Sequence, residues 1–148
     1  MDPIPEAKLA YLLSDSSRLL RRSFDQDAKH LGMTRSQWRT IVYINRQPGI
    51  SPSQLAETLD MERAPLGNQI DKLCQAGLVT KTPHPNDKRA WQLGVTAKAK
   101  QLLPPMRKRY KTLYQTATHG ITATQLANLE QTLEQIKNNL LSHKQDNT

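Results

Sequence analysis

Apolar residues along the chain recur with two different periods. Between residues 5 and 30, Leu9, Leu12, Leu13, Leu19, Leu20 and Phe24 fall at helical spacing, and Gly32 breaks the pattern. Thr34 then reads as an N-cap, with Gln37 three residues on to complete a capping box. Trp38, Ile41, Val42 and Ile44 mark the buried side of this second helix, which the Pro48-Gly49 turn ends. Ser51 or Ser53 caps a short third helix holding Leu55, Ala56 and Leu59, and a break follows at Asp60-Met61. A fourth helix is predicted over 63–76. Pro65 fits only its first turn, where a missing N–H costs nothing, and Gly77 closes it. Leu66, Ile70 and Leu73 are its inner stripe.

The period then shortens. Residues 78–83 and 90–95 read as strands, joined by a Pro- and Asn-rich loop over 84–89. Two strands alone are marginal, so the hairpin must lean on helices. Thr96 caps a fifth helix, which Pro104-Pro105 is expected to kink or restart. Thr122 caps a sixth, where Leu126, Leu129, Leu133, Ile136 and Leu140 alternate spacings of three and four, a heptad-like seam. The tail from Ser142 onward is expected to fray. The expectation is a mainly α protein with one small β-hairpin.

Composition narrows the class. The chain has 148 residues, 36% hydrophobic and 23% charged, which suits a globular fold. Net charge is +8 and the isoelectric point about 9.8, the electrostatic footprint of a nucleic-acid binder. An anionic membrane surface would attract the same charge, so its distribution has to decide. No apolar run approaches the roughly 20 residues of a membrane span. The N-terminal stretch has acidic residues ahead of its apolar patch and no small-residue cleavage site, which argues against a signal peptide. A single cysteine, Cys74, excludes an intramolecular disulfide, and the four histidines show no zinc spacing. A reducing cytoplasm is the expected compartment. No phosphate loop, metal set or nucleophile–base pair is present, so neither an enzyme nor a cofactor is expected. Glu130 and Glu134 share a helix face, but as solvated flanks of the seam.

Two short helices, a tight turn and a helix ending in glycine describe a helix-turn-helix, and the hairpin after it makes the winged variety. The major groove of DNA admits one helix, and a hairpin tip reaches the backbone or the adjacent minor groove. Arg63, Ala64, Asn68, Gln69 and Lys72 lie off the buried stripe of the fourth helix. Arginine pairs with guanine, and Asn or Gln with adenine. Pro65, Ser51, Ser53 and Gln54, with Lys81, Asp87, Lys88 and Arg89 on the hairpin, complete the candidate DNA contacts.

The stretch "SPSQLAETLDMERAPLGNQIDKLCQAGLVTKTPHPNDKRAWQLGVTAKAKQLL" resembles the winged helix of the MarR family, most closely its SlyA branch. The residues that carry the resemblance are Leu55-Ala56, Leu73 with Gly77-Leu78-Val79, Asp87-Lys88-Arg89 and Val95-Thr96 with Ala99. "HGIT" before the last helix adds to it. Pro65 and Asn68 depart from the family's frequent Arg or Ser, so base preference does not carry over. Val95 stands for the usual leucine and Ala99 for glycine.

The resemblance implies a winged helix-turn-helix over 33–96 and a helical dimerisation lobe over 1–32 and 97–148. It implies a homodimer with the first, fifth and sixth helices interlocked, a pseudo-palindromic double-stranded DNA operator, and a transcriptional regulator, a repressor for instance. Arg89 would enter the minor groove, with Asp87 holding it and Trp91, Leu93 and Val95 anchoring the hairpin base. The family also implies a small aromatic acid as effector, for which Trp38, Tyr110, Arg18 and Arg21 are the candidates. The plainer reading of Trp38 and Tyr110 is core packing, and of Cys74 inert packing. The competing function is a helical interaction protein whose winged helix binds protein or RNA.

Overall fold

A Ser or Thr hydroxyl starts four of the six helices in the computed structural model, which describes residues 4–146. The elements run α1 (Pro5–Lys29), α2 (Arg35–Arg46), α3 (Pro52–Leu59), α4 (Arg63–Gln75), β1 (Val79–His84), β2 (Asp87–Val95), α5 (Ala97–Ala117) and α6 (Ala123–Asp146). Reciprocal capping boxes open α2 (Thr34 with Gln37), α3 (Ser51 with Gln54) and α6 (Thr122 with Gln125). Thr96 opens α5 by accepting from the Ala99 N–H, and its hydroxyl donates to the Gly77 carbonyl at 2.7 Å. At the far end of α4, Lys98 Nζ donates to the Ala76 carbonyl at 2.9 Å, placing a cation on a helix C-terminus.

The breaks on either side of α4 use left-handed backbone. Asp60 ends α3 at φ 49° and Gly77 follows α4 at φ 70°. Asp is one of the few side-chain-bearing residues that tolerates this region. The turn at Asp60 separates α3 from α4 and the turn at Gly77 leads α4 into β1, while Leu55, Ala56 and Leu59 of α3 and Leu66, Ile70 and Leu73 of α4 are all buried. Trp38, Ile41 and Ile44 of α2, with Leu78, Val79 and Leu93 of the hairpin, join the same core, and Phe24, Ala28, Ala99 and Met106 carry it to α1 and α5. Packing divides the chain between Leu113 and Tyr114, inside α5, and this core lies wholly in the first unit.

The hairpin is longer than its apolar alternation implied. Val79 pairs with Val95 and pairing continues to His84 opposite Asp87, with an irregularity after Pro83. Only Pro85 and Asn86 form the turn. Asp87, Lys88 and Arg89 are therefore strand residues, not loop residues. Backbone pairing needs no apolar side chain, and Pro83 lies in β1, an edge strand, where proline is tolerated. Trp91 is a second correction: it does not anchor the hairpin base but stays 43% exposed, while Leu93 is buried. A third backbone segment secures that base, because Gly49 N–H donates to the Leu93 carbonyl and Leu93 N–H to the Ile50 carbonyl.

Pro104-Pro105 does not restart α5, which runs through both. The prolines withhold two N–H donors, but Ala99 and Met106 on either side are fully buried, and tertiary packing holds the helix where propensity opposes it. Helix α6 extends past Ser142 to Asp146, beyond the point where fraying was expected; residues 147 and 148 lie outside the described part.

Candidate nucleic-acid interface

The buried stripe of α4 fixes what its opposite face presents. With Leu66, Ile70 and Leu73 turned into the core, Ala64, Pro65, Asn68 and Lys72 come together on the exposed side, with Arg63 at the helix start. None carries negative charge. Glu62 precedes the helix and Asp71 stands on its flank. At the start of α3, Ser53 is half-buried and Gln54 exposed. The Ser51 hydroxyl and the Gln54 carbonyl oxygen are committed to the capping box, leaving the Gln54 amide N–H groups for an outside partner.

Gln69 differs from the expectation of an exposed residue. It is half-buried, and its carboxamide faces α2. Its Nε2 donates to the Ser36 carbonyl at 3.0 Å and to Thr40 Oγ1, and its Oε1 accepts from Ser36 Oγ at 2.9 Å. Helical geometry explains the placement: position 69 lies on the border between the buried stripe and the exposed face.

The hairpin tip is held by its own side chains. Asp87 Oδ1 accepts from the Arg89 backbone N–H at 2.9 Å, and His84 Nδ1 accepts from Asn86 N–H at 3.2 Å. Asp87 thus acts on the backbone of Arg89, and its carboxylate makes no ion pair with the guanidinium among the described residues. Arg89 and Lys88 are exposed. Lys81 points back along the hairpin: its Nζ lies 5.1 Å from the Trp91 ring centroid and 3.9 Å from Asp71 of α4. Cys74 lies near this pair. Burial pushes its thiol up, the Asp71 carboxylate pushes the same way, and Lys81 opposes them. A thiol so shifted is poorly nucleophilic.

A cavity of about 400 Å³ adjoins this lobe, walled by α1, α2 and α5. Phe24, Trp38, Tyr43 and Tyr110 line it, with Phe24 and Tyr110 edge to face at 6.2 Å. Its cations are Arg35, Arg39, Arg46 and Arg107, and no carboxylate lines it among the described residues. Arg39 and Arg46 lie 5.6 and 5.8 Å from the Tyr43 ring centroid. Trp38 and Tyr110 both line the cavity, but Arg18 and Arg21 do not. Arg18 pairs with Asp15 at 3.0 Å, and Arg21 reaches the Ser17 carbonyl. Both interactions are local to α1. Of the arginines that do line the cavity, three were legible only as a spacing, since 35, 39 and 46 share one face of α2 with Trp38 and Val42, and Arg107 comes from α5.

Among the described residues, no group of His, Cys, Asp and Glu could hold a metal ion, and no helix is long and apolar enough to cross a membrane. The sequence model of the MarR family matches residues 31–90. A cysteine-to-serine mutant of MarR from E. coli, solved complexed with operator DNA, is 25% identical, with a TM-score of 0.81 over 87% of this chain and 93% of that one. The transcriptional regulator SlyA has a TM-score of 0.82 at 21% identity, covering 89% and 93% of the two chains. A SlyA-like regulator from Listeria monocytogenes matches 97% of this chain and 92% of its own at 24% identity, with a TM-score of 0.80.

Proposed function

We propose that this chain, whose residues 31–90 match the sequence model of the MarR family, is a winged-helix transcription regulator of that family and a homodimer that binds a pseudo-palindromic operator in double-stranded DNA. Residues 33–96 are the DNA-binding lobe, and 1–32 with 97–148 the dimerisation lobe. Helix α4 lies in the major groove with Arg63, Ala64, Pro65, Asn68 and Lys72 toward the bases and phosphates. Ser51, Ser53 and Gln54 meet the backbone at the start of α3. The hairpin carries Asp87, Lys88 and Arg89 to the minor groove, where a narrow, electronegative channel favours one arginine without detailed base reading. The protein works in the cytoplasm, and over a promoter the dimer represses by exclusion.

The observation that carries this reading is the exposed side of α4, where Asn68 and Lys72 stand opposite a fully buried stripe, Asp71 is paired with Lys81, and a cationic hairpin tip lies alongside. A solved relative at 25% identity holds operator DNA with the same fold. The cavity beside α2 supports the effector: aromatic walls and four guanidiniums suit a small aromatic acid. Selection of bound DNA from a random pool tests the proposal. Enriched sequences should contain two inverted copies of one short motif with centres about 10 bp apart. Recovery of no motif, or preferential binding of RNA from a matched pool, would overturn it.

A further inference from the structure

Gln69 has the side chain best suited to reading adenine, and the fold has turned it away. Bidentate recognition of adenine needs one amide N–H to donate and the amide oxygen to accept. Both N–H groups of Gln69 are already spent on α2, one on the Ser36 carbonyl and one on Thr40 Oγ1, and its oxygen accepts from Ser36 Oγ. Thr40 is the one fully buried polar residue among those described, and no buried side-chain polar atom is left without a partner. Turning Gln69 outward to a base would break this set and strand a hydroxyl in the core.

Helix α4 needs such a tie. Leu66, Ile70 and Leu73 hold it by apolar burial, which is non-directional and resists a roll about the helix axis only weakly. Hydrogen bonds are directional. Side chains reach about 5–6 Å from a helix axis, so a roll of roughly 20° swings their tips by about 2 Å, enough to miss a base edge. We propose that Gln69 is a positioning residue: it clasps α4 to α2 through Ser36 and Thr40, sets the roll of the recognition helix, and touches no base. The inference rests on the DNA-binding reading above but locates one of that helix's polar residues inside the protein.

The variants are Gln69→Ala, Gln69→Glu (same size, both donors lost) and Thr40→Val, whose site is closed to DNA. Affinity is measured at a temperature where each is fully folded, against the selected operator and its single-base-pair variants. Each substitution should weaken binding about tenfold, the size of one to two net hydrogen bonds, and by a similar factor on every sequence. The double variant Gln69→Ala/Thr40→Val should bind no more weakly than the weaker single, because both break one clasp. A role in stability alone would lower the melting temperature and leave the affinity of the folded protein unchanged; that result overturns the proposal. So does loss of discrimination at one base pair in Gln69→Ala with wild-type binding by Thr40→Val, which would make Gln69 a base reader. If the wild type selects no DNA, the function proposed above fails, and amide exchange in the free protein decides the clasp separately. Exchange of α4 amides should rise about tenfold in the variants while α6 is unaffected; unchanged α4 protection overturns it.

Discussion

Arg89 and Gln69 are both polar residues of the winged lobe, used in opposite ways. Arg89 is exposed at the hairpin tip, and its backbone N–H is fixed by Asp87 while its guanidinium is left outward. Replacing Arg89 by Ala should therefore remove a contact without loosening the hairpin. The expected loss is about 1–3 kcal/mol, with the slope of log affinity against log salt reduced by about one. Titration of labelled operator at several salt concentrations measures both, and wild-type affinity at about 0.15 M salt would remove Arg89 from the interface. Its exposure followed from its place beside a Pro-Asn turn. The inward turn of Gln69 did not, because position 69 borders both faces of α4 and only the hydroxyls of α2 decide between them.

At the scale of elements, α2 has two jobs on two faces. Arg35, Trp38, Arg39, Val42 and Arg46 wall the cavity, and Ser36 and Thr40 hold α4. A ligand packed against the first face bears on the helix that carries the clasp. In a Trp91→Phe background, where Trp38 is the only tryptophan, millimolar salicylate should quench the emission, and Arg107→Ala should weaken that response. Linkage requires that the ligand and operator weaken each other by one factor, about 5–150-fold in typical allosteric pairs. Calorimetry with and without operator measures it. Silence from several aromatic acids would leave Trp38 and Tyr110 as packing residues. The helices and their caps were legible because capping boxes and helical spacing are local signals. The hairpin tip and the continuity of α5 through Pro104-Pro105 were not, since pairing and burial overrode the local preference there.

The whole molecule leaves apolar surface that a single chain does not cover. Leu9, Leu12 and Leu19 of α1 are more than half exposed, and Leu129, Leu133 and Leu140 of α6 are 47%, 37% and 62% exposed. Such patches mark interaction surfaces, and the proposed dimer buries them. Leu133→Asp should raise the dimer dissociation constant at least about hundredfold, because an unpaired carboxylate is buried in the seam. Sedimentation of the wild type as a folded monomer at micromolar concentration would overturn the dimer, and the two-half-site operator with it. The sequence by itself determined the six helices, the caps of four of them and the winged lobe, because spacing, capping and turn chemistry act over a few residues. Only the tertiary structure decided which arginines line the cavity, that Asp87 serves the backbone of Arg89, and that Gln69 faces Thr40. Each of those joins or separates groups according to how helices roll and strands pair, and no local pattern encodes that.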